Sequence, residues 1–177
     1  TPAANFNGNV TAINYRISDN SGATHSASVN VTVAAVNDAP IANDDSVSTA
    51  EDTAITGNVL NAVNSGEQSD TDIDGDMLTV TQFTVGITTV SAGDTINLGE
   101  GDITVNSNGS YTFTPATNFN GTVSQIFCSI SDGNGGMANS TLTISVSAVN
   151  DAGSIANLID NSANAVDSDA QVSESAL

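Results

Sequence analysis

Four aspartates alternate along the stretch "DTDIDGD": Asp70, Asp72, Asp74 and Asp76. The D-x-D-x-D-G-D spacing puts alternate carboxylates on one side of a loop, and Gly75 permits the sharp turn. Two carboxylates about 5 Å apart repel by roughly 3 kcal/mol at an effective dielectric near 20. A hard cation with several oxygen ligands removes that repulsion, and calcium suits the arrangement best. The competing reading is a solvated acidic turn. The loop is not that of a helix–loop–helix calcium site. Its twelfth position from Asp70 is Thr81 rather than glutamate, and no flanking stretch has helical periodicity.

The rest of the chain sharpens this charge problem. Its 177 residues carry a formal charge of −19, and Arg16 is the only lysine or arginine. Ion pairs within the protein therefore cannot balance the acids, and cations from solution must. A nucleic-acid partner is excluded for lack of a basic face, and an anionic membrane surface for the same reason. No segment is long and apolar enough to insert into a membrane as a helix. No secretory leader is visible, and the chain opens inside a repeat unit, so location is not read from its first residues. Cys128 is the only cysteine, which rules out a disulfide within the chain.

The elements that must position the acids follow from an internal repeat. Residues 1–39 and 114–152 align without a gap at a constant offset of 113, with about half of the pairs identical. A period of this length indicates whole domains in tandem. The expected organisation is the closing strands of one unit over 1–39, a complete unit over 40–152 and the start of another over 153–177. In that last segment "QVSESAL" resembles "SVSTAED", although Gly153 stands where the repeat predicts proline. Within the complete unit, Ile126, Cys128 and Ile130 alternate with polar residues, as do Leu142, Ile144 and Val146. "DITVNSNGSYTFTP" reads as a hairpin turning at Asn108-Gly109, with Ile103 and Val105 opposite Tyr111 and Phe113. Further strands are expected near 45–50, 54–60 and 77–85. About seven short strands in some 110 residues predict an all-β, Ig-like antiparallel sandwich.

The order "VSTAED", "DTDIDGD", "SDGNGG", "VNDA" resembles that of cadherin-like repeats. More closely it is similar to the bacterial cadherin-like and VCBS-type tandem repeats of giant secreted, RTX-type adhesins, across residues 1–152. The resemblance implies Ca2+ at the junctions between units. Residue by residue, it assigns metal-ligand roles to Glu51, to Asp72 and Asp74, and to Asp132 with its counterpart Asp19. It assigns the same role to the linker pairs Asn37–Asp38 and Asn150–Asp151. Asp70 and Asp76 are further candidates, through water or by their field, and Asp44, Asp45 and Asp52 lie close enough to a linker to join. The Asp-Arg-Glu motif of vertebrate cadherins is absent, and "TNFNG" occupies roughly its place. Sandwich topology predicts that Asp72, Asp74 and Asp132 meet Asn37 and Asp38 at one end. Glu51 should lie towards the other end, near Asn150 and Asp151.

The resemblance implies a non-catalytic, calcium-rigidified extender of a bacterial surface adhesin, extracellular and engaged in adhesion or biofilm formation. Its partners would be neighbouring repeats of the same chain, with cell-surface or matrix carbohydrate as a further candidate. Two alternatives stay open. One is a calcium-dependent carbohydrate-binding module, although the chain has no tryptophan and few other aromatics. The other is a fibre subunit assembling by strand complementation between its partial end units. The residues offer little to an enzyme. His25 aligns with Ala138 and reads as a surface strand residue, and Cys128 reads as a buried thiol with no histidine to activate it. Phe6 and Phe119, in matched "NFNG" turns, read as plugs at the sandwich edge.

Overall fold

The computed structural model describes residues 1–62 and 67–151. The expected opening strand within 153–177 lies outside them. Fourteen strands and no helix appear among the described residues. Four short ones come first: β1 (Gly8–Asn9), β2 (Ile13–Ser18), β3 (Thr24–Val29) and β4 (Thr32–Val33). Then follow β5 (Asp45–Ala50), β6 (Ile55–Asn58), β7 (Thr79–Val85), β8 (Thr88–Ser91), β9 (Thr95–Leu98) and β10 (Gly101–Val105). The last are β11 (Ser110–Pro115), β12 (Gly121–Thr122), β13 (Ile126–Ser131) and β14 (Met137–Ser147).

From β5 onward the strands form two facing sheets. One has the order β6-β11-β10-β9. In the other, β14 carries β13, β7 and β8 in succession on one side, with β12 also on β14 and β5 paired to it in parallel. The expected hairpin is β10–β11, with Ile103 opposite Phe113 and Val105 opposite Tyr111. Inward residues alternate as the sequence predicts, and Ile126, Cys128, Ile130, Leu142 and Ile144 are fully buried. Strand β7 departs from alternation because a bulge shifts its register against β13 between Ser129 and Ile130. The extra residue lets both Val80 and Phe83 face the core while Thr81 and Gln82 stay exposed. Strands β8 and β9 were not expected: "TTVS" and "TINL" are four-residue strands, too short to show a clear period.

The repeat is reproduced in three dimensions. Ile13 pairs with Val29 as Ile126 pairs with Leu142, and Gly8 with Val33 as Gly121 with Val146. The environments differ. Ile13, Tyr15 and Ile17 are exposed, whereas Ile126, Cys128 and Ile130 are covered by the facing sheet.

The parallel pairing of β5 with β14 sets the poles of the sandwich. Strand β14 leaves the 132–136 loop and ends at the outgoing segment, with Leu142 beside Asp45 and Ser147 beside Ala50. The start of β5 therefore lies towards the incoming pole, and its end delivers Glu51 to the outgoing one. Inside, the Tyr111 ring lies directly over Gly57, its partner across β11–β6, and any Cβ at 57 would collide with the phenol. We expect Gly57→Ala to cost about 1–3 kcal/mol in urea unfolding, as overpacking does. Gly99→Ala, which meets open space at ordinary φ, should stay within about 0.5 kcal/mol of the parent.

Candidate metal centre

At the incoming pole the segment 37–43 is stitched along the acidic loop. Ile41 and Thr71 exchange backbone hydrogen bonds at 2.8 and 3.0 Å. Asn43 N–H donates to Asp70 Oδ1 at 2.8 Å, and its amide donates to the Ser69 carbonyl at 3.0 Å. Asp38 N–H donates to Asp74 Oδ2 at 2.8 Å. The incoming segment thus lies against the acids and leaves them little room to separate.

The loop holds its own shape by the local bonding that aspartate favours in turns. Asp72 Oδ1 accepts from the N–H groups of Asp74 (2.8 Å) and Asp76 (3.3 Å), and Gly75 takes φ 82°. The loop after β13 does the same: Asp132 Oδ1 accepts from Asn134 N–H at 2.8 Å and Gly136 N–H at 2.9 Å. Asp19 repeats that geometry in its own turn, accepting from Ser21 at 2.9 Å and Ala23 at 2.8 Å.

These two loops bring Asp72, Asp76 and Asp132 together, with one carboxylate oxygen of each within 4.8 Å of the others. Asp132 is buried, and the Asn37 amide donates to its Oδ2 at 2.8 Å. That hydrogen bond holds the Asp132 carboxyl below its ordinary range, against an opposing push from burial. Asp72 Oδ2 is buried with no hydrogen-bond partner. An orphaned carboxylate oxygen amid two more carboxylates and no basic group suits a hard cation, so the donor set fits calcium. Asp76 takes the place in the trio expected of Asp74, which instead fixes Asp38. Gly136 makes room for the incoming segment, since a Cβ there would strike the Asp132 carboxylate and come within 2.9 Å of Ala39 Cα. Its counterpart in the first copy is Ala23.

The outgoing pole is built differently. Glu51 is buried; its carboxylate accepts from Val149 N–H and, at 3.4 Å, from the Asn120 amide. Asp52 Oδ1 accepts from Asn118 N–H at 3.0 Å. With nitrogen turned towards them, the Asn118 amide reaches Asp151 Oδ2 at 3.2 Å and Asp52 Oδ2 at 3.3 Å. Asn150 is exposed beside Asp151. Asn118 and Asn120 come from "TNFNG", the stretch that stands in place of the missing Asp-Arg-Glu motif, where an ion would be held by amides and carbonyls if it is present at all. Asn5 and Asn118, at matched positions of the repeat, share left-handed φ values of 59° and 57°.

Asp44 and Asp45 belong to neither pole. Asp44 Oδ1 accepts from Thr141 N–H at 2.8 Å, tying β5 to β14. Asp45 points into the sandwich and is 5% exposed. Burial, followed by the charges of Glu67, Asp70 and Asp44, pushes its carboxyl from 3.8 up to about 7. Burial also raises Asp70, partly offset by the bond from Asn43. Cys128 is pushed up to about 12, first by burial, which leaves it a thiol without nucleophilic character.

Two predictions follow from these environments. Gly136→Ala should displace residues 37–39 and lower stability by about 1–3 kcal/mol in chelator, read by urea unfolding. The folded chain also keeps a proton on Asp45 over the window from about 4 to 7, where the unfolded chain releases it. Stability contributed by that proton is present at the acid side and lost as pH rises through the window. In chelator, Asp45→Asn should therefore show a flatter fall of Tm between pH 5 and 7.5 than the parent.

Family comparisons are consistent with this architecture. The chain matches the bacterial Ig domain over residues 1–32. Among solved structures it is similar to a nucleoside hydrolase-related hypothetical protein from Saccharophagus degradans that is associated with carbohydrate metabolism. The identity is 18% and the TM-score 0.41; the match covers 64% of this chain and 26% of that one. No curated protein matches the sequence. The match that spans most of the chain is to the bacterial cadherin-like domain, over residues 37–148, and the chain belongs to that family.

Proposed function

We propose that this chain is a calcium-rigidified extender segment of a large bacterial surface adhesin, acting in adhesion or biofilm formation without catalysis. Residues 40–152 form its complete unit, with 1–39 closing the unit before and 153–177 opening the next. The observation that carries the reading is the trio Asp72, Asp76 and Asp132 beneath a stitched incoming segment, with Asp72 Oδ2 buried and unpartnered. Cadherin-like domains generally bind calcium, and bacterial ones are typically found on the cell surface. No described helix is long and apolar enough to cross a membrane.

In this reading Asn37, Asp38 and Asp74 fix the incoming segment against the trio. At the outgoing pole Glu51, Asp52 and Asp151, with Asn118, Asn120 and Asn150, form the half-site that the following unit completes. Asp19 is the first copy's equivalent of Asp132. Calcium supplies the positive charge that lets these carboxylates remain in contact. At calcium about a hundredfold above Kd, each ion adds roughly 2.7 kcal/mol to the folded junction. Neighbouring repeats are the immediate partners, and adhesion to a target belongs to another part of the protein.

Small-angle scattering of the whole chain tests this. Calcium should lengthen and stiffen the particle relative to chelator and raise Tm, and Asp72→Asn should lose most of both responses. Scattering profiles and Tm that are indifferent to millimolar calcium would refute the clamp.

A further inference from the structure

Beneath the acidic loop lies a second group of oxygens that the junction does not use. Asp45 Oδ2, Asp70 Oδ2, the Tyr111 hydroxyl and Ser140 Oγ are all buried, and none has a hydrogen-bond partner. Asp45, Tyr111 and Ser140 are 5%, 2% and 3% exposed. Such orphans are costly in a folded interior, and four in one region call for an explanation.

Pairing and one hydrogen bond relate three of them, and the fourth faces them from the other sheet. Asp45 pairs with Leu142, and Ser140 is the preceding inward residue of β14, beside Cys128. Tyr111 comes from the facing sheet, its ring admitted by Gly57. Asp70 enters from the loop above, one oxygen held by Asn43 and the other left free. The charges register on one another. Tyr111 is raised to about 12 by burial and then by Glu67 and Asp45, and Cys128 feels both Asp45 and Asp70.

We propose that Asp45, Asp70, Tyr111 and Ser140 form an internal hard-cation site between the two sheets, distinct from the junction and selective for a divalent ion such as calcium. All four donors are oxygens, two from carboxylates and two from hydroxyls, which is a set for a hard cation rather than a soft one. A buried water would satisfy some of these lone pairs, but only a cation would also balance the carboxylate charge once Asp45 gives up its proton. The only basic side chain, Arg16, sits on β2 and not in this sandwich. Water completes the coordination shell, and Glu67 adds field from the rim. The ion would tie the start of β5, the acidic loop and both sheets into one body. The inference stands apart from the junction clamp, since the two sites share no ligand.

Terbium luminescence reads the site directly, because a tyrosine whose hydroxyl touches the ion sensitises the emission. The full chain is used in a Tyr15→Phe background, so that Tyr111 is the only tyrosine. Terbium should give tyrosine-excited emission that calcium displaces. Asp45→Asn should weaken it by about tenfold or more, as loss of a ligand does, and lower the calcium bound in equilibrium dialysis by one ion. Asp72→Asn should leave the emission in place while weakening the junction response, so the two sites fail separately. If Asp45→Asn does not fold by circular dichroism, Ser140→Ala carries the same comparison. Emission and ion count unchanged in a folded variant, or emission lost only in Asp72→Asn, would overturn the proposal.

Discussion

The structure is governed by carboxylate repulsion that the chain cannot relieve from its own resources. A single arginine stands against twenty acids, and three of the described carboxylates, Asp72, Asp76 and Asp132, meet at one pole of the sandwich. Backbone hydrogen bonds fix the geometry. Asp72 and Asp132 each fold a turn around one carboxylate oxygen, which commits the other oxygen to face its neighbours. The incoming segment then locks down over them through Asp38, Ile41 and Asn43. Repulsion within such an arrangement cannot be discharged by side-chain drift. A cation from solution would discharge it.

Much of the fold was legible because most of its strands pair antiparallel and alternate between an apolar inner face and a polar outer one. The runs at 126–131 and 137–147 and the hairpin at 101–115 could be placed from period and turn chemistry alone. The repeat added what no single strand could show, that 8–33 and 121–146 share one register. Strands of four residues left too little pattern to read, and the bulge in β7 broke the pattern where it did exist. That bulge is a tertiary choice, made so that Val80 and Phe83 can both reach the core.

The candidate site was legible by type more than by atom. Alternating aspartates pointed to a cluster of carboxylates suited to a cation, and the loop that carries them lies beside Asp132 and the incoming segment. Which carboxylates approach closest depends on turn hydrogen bonds that spacing does not encode, so Asp76 rather than Asp74 joins the trio. Asp70 belongs to the same run of sequence yet turns towards the interior, held by Asn43. Burial of Asp45 was equally hidden, because an aspartate at a strand start reads as solvent-facing until the parallel pairing with β14 is known.

The two poles differ in a way that bears on how an array of such units would respond. The incoming pole is made of carboxylates with one orphaned oxygen, and the outgoing pole mixes carboxylates with the amides of Asn118 and Asn120. Amides can donate to the carboxylates beside them, so the outgoing pole is partly satisfied without metal. Among the described residues, the incoming pole has the Asn37 amide for that purpose. In the proposed clamp a junction joins one pole of each kind, and the carboxylate-rich partner sets its demand for cation. In the proposed reading, rigidity in such a chain depends on contact between units, because the half-site around Glu51, Asp52 and Asp151 is completed by the unit that follows. An isolated domain can fold on its alternating core and still lack the property for which its acids are arranged.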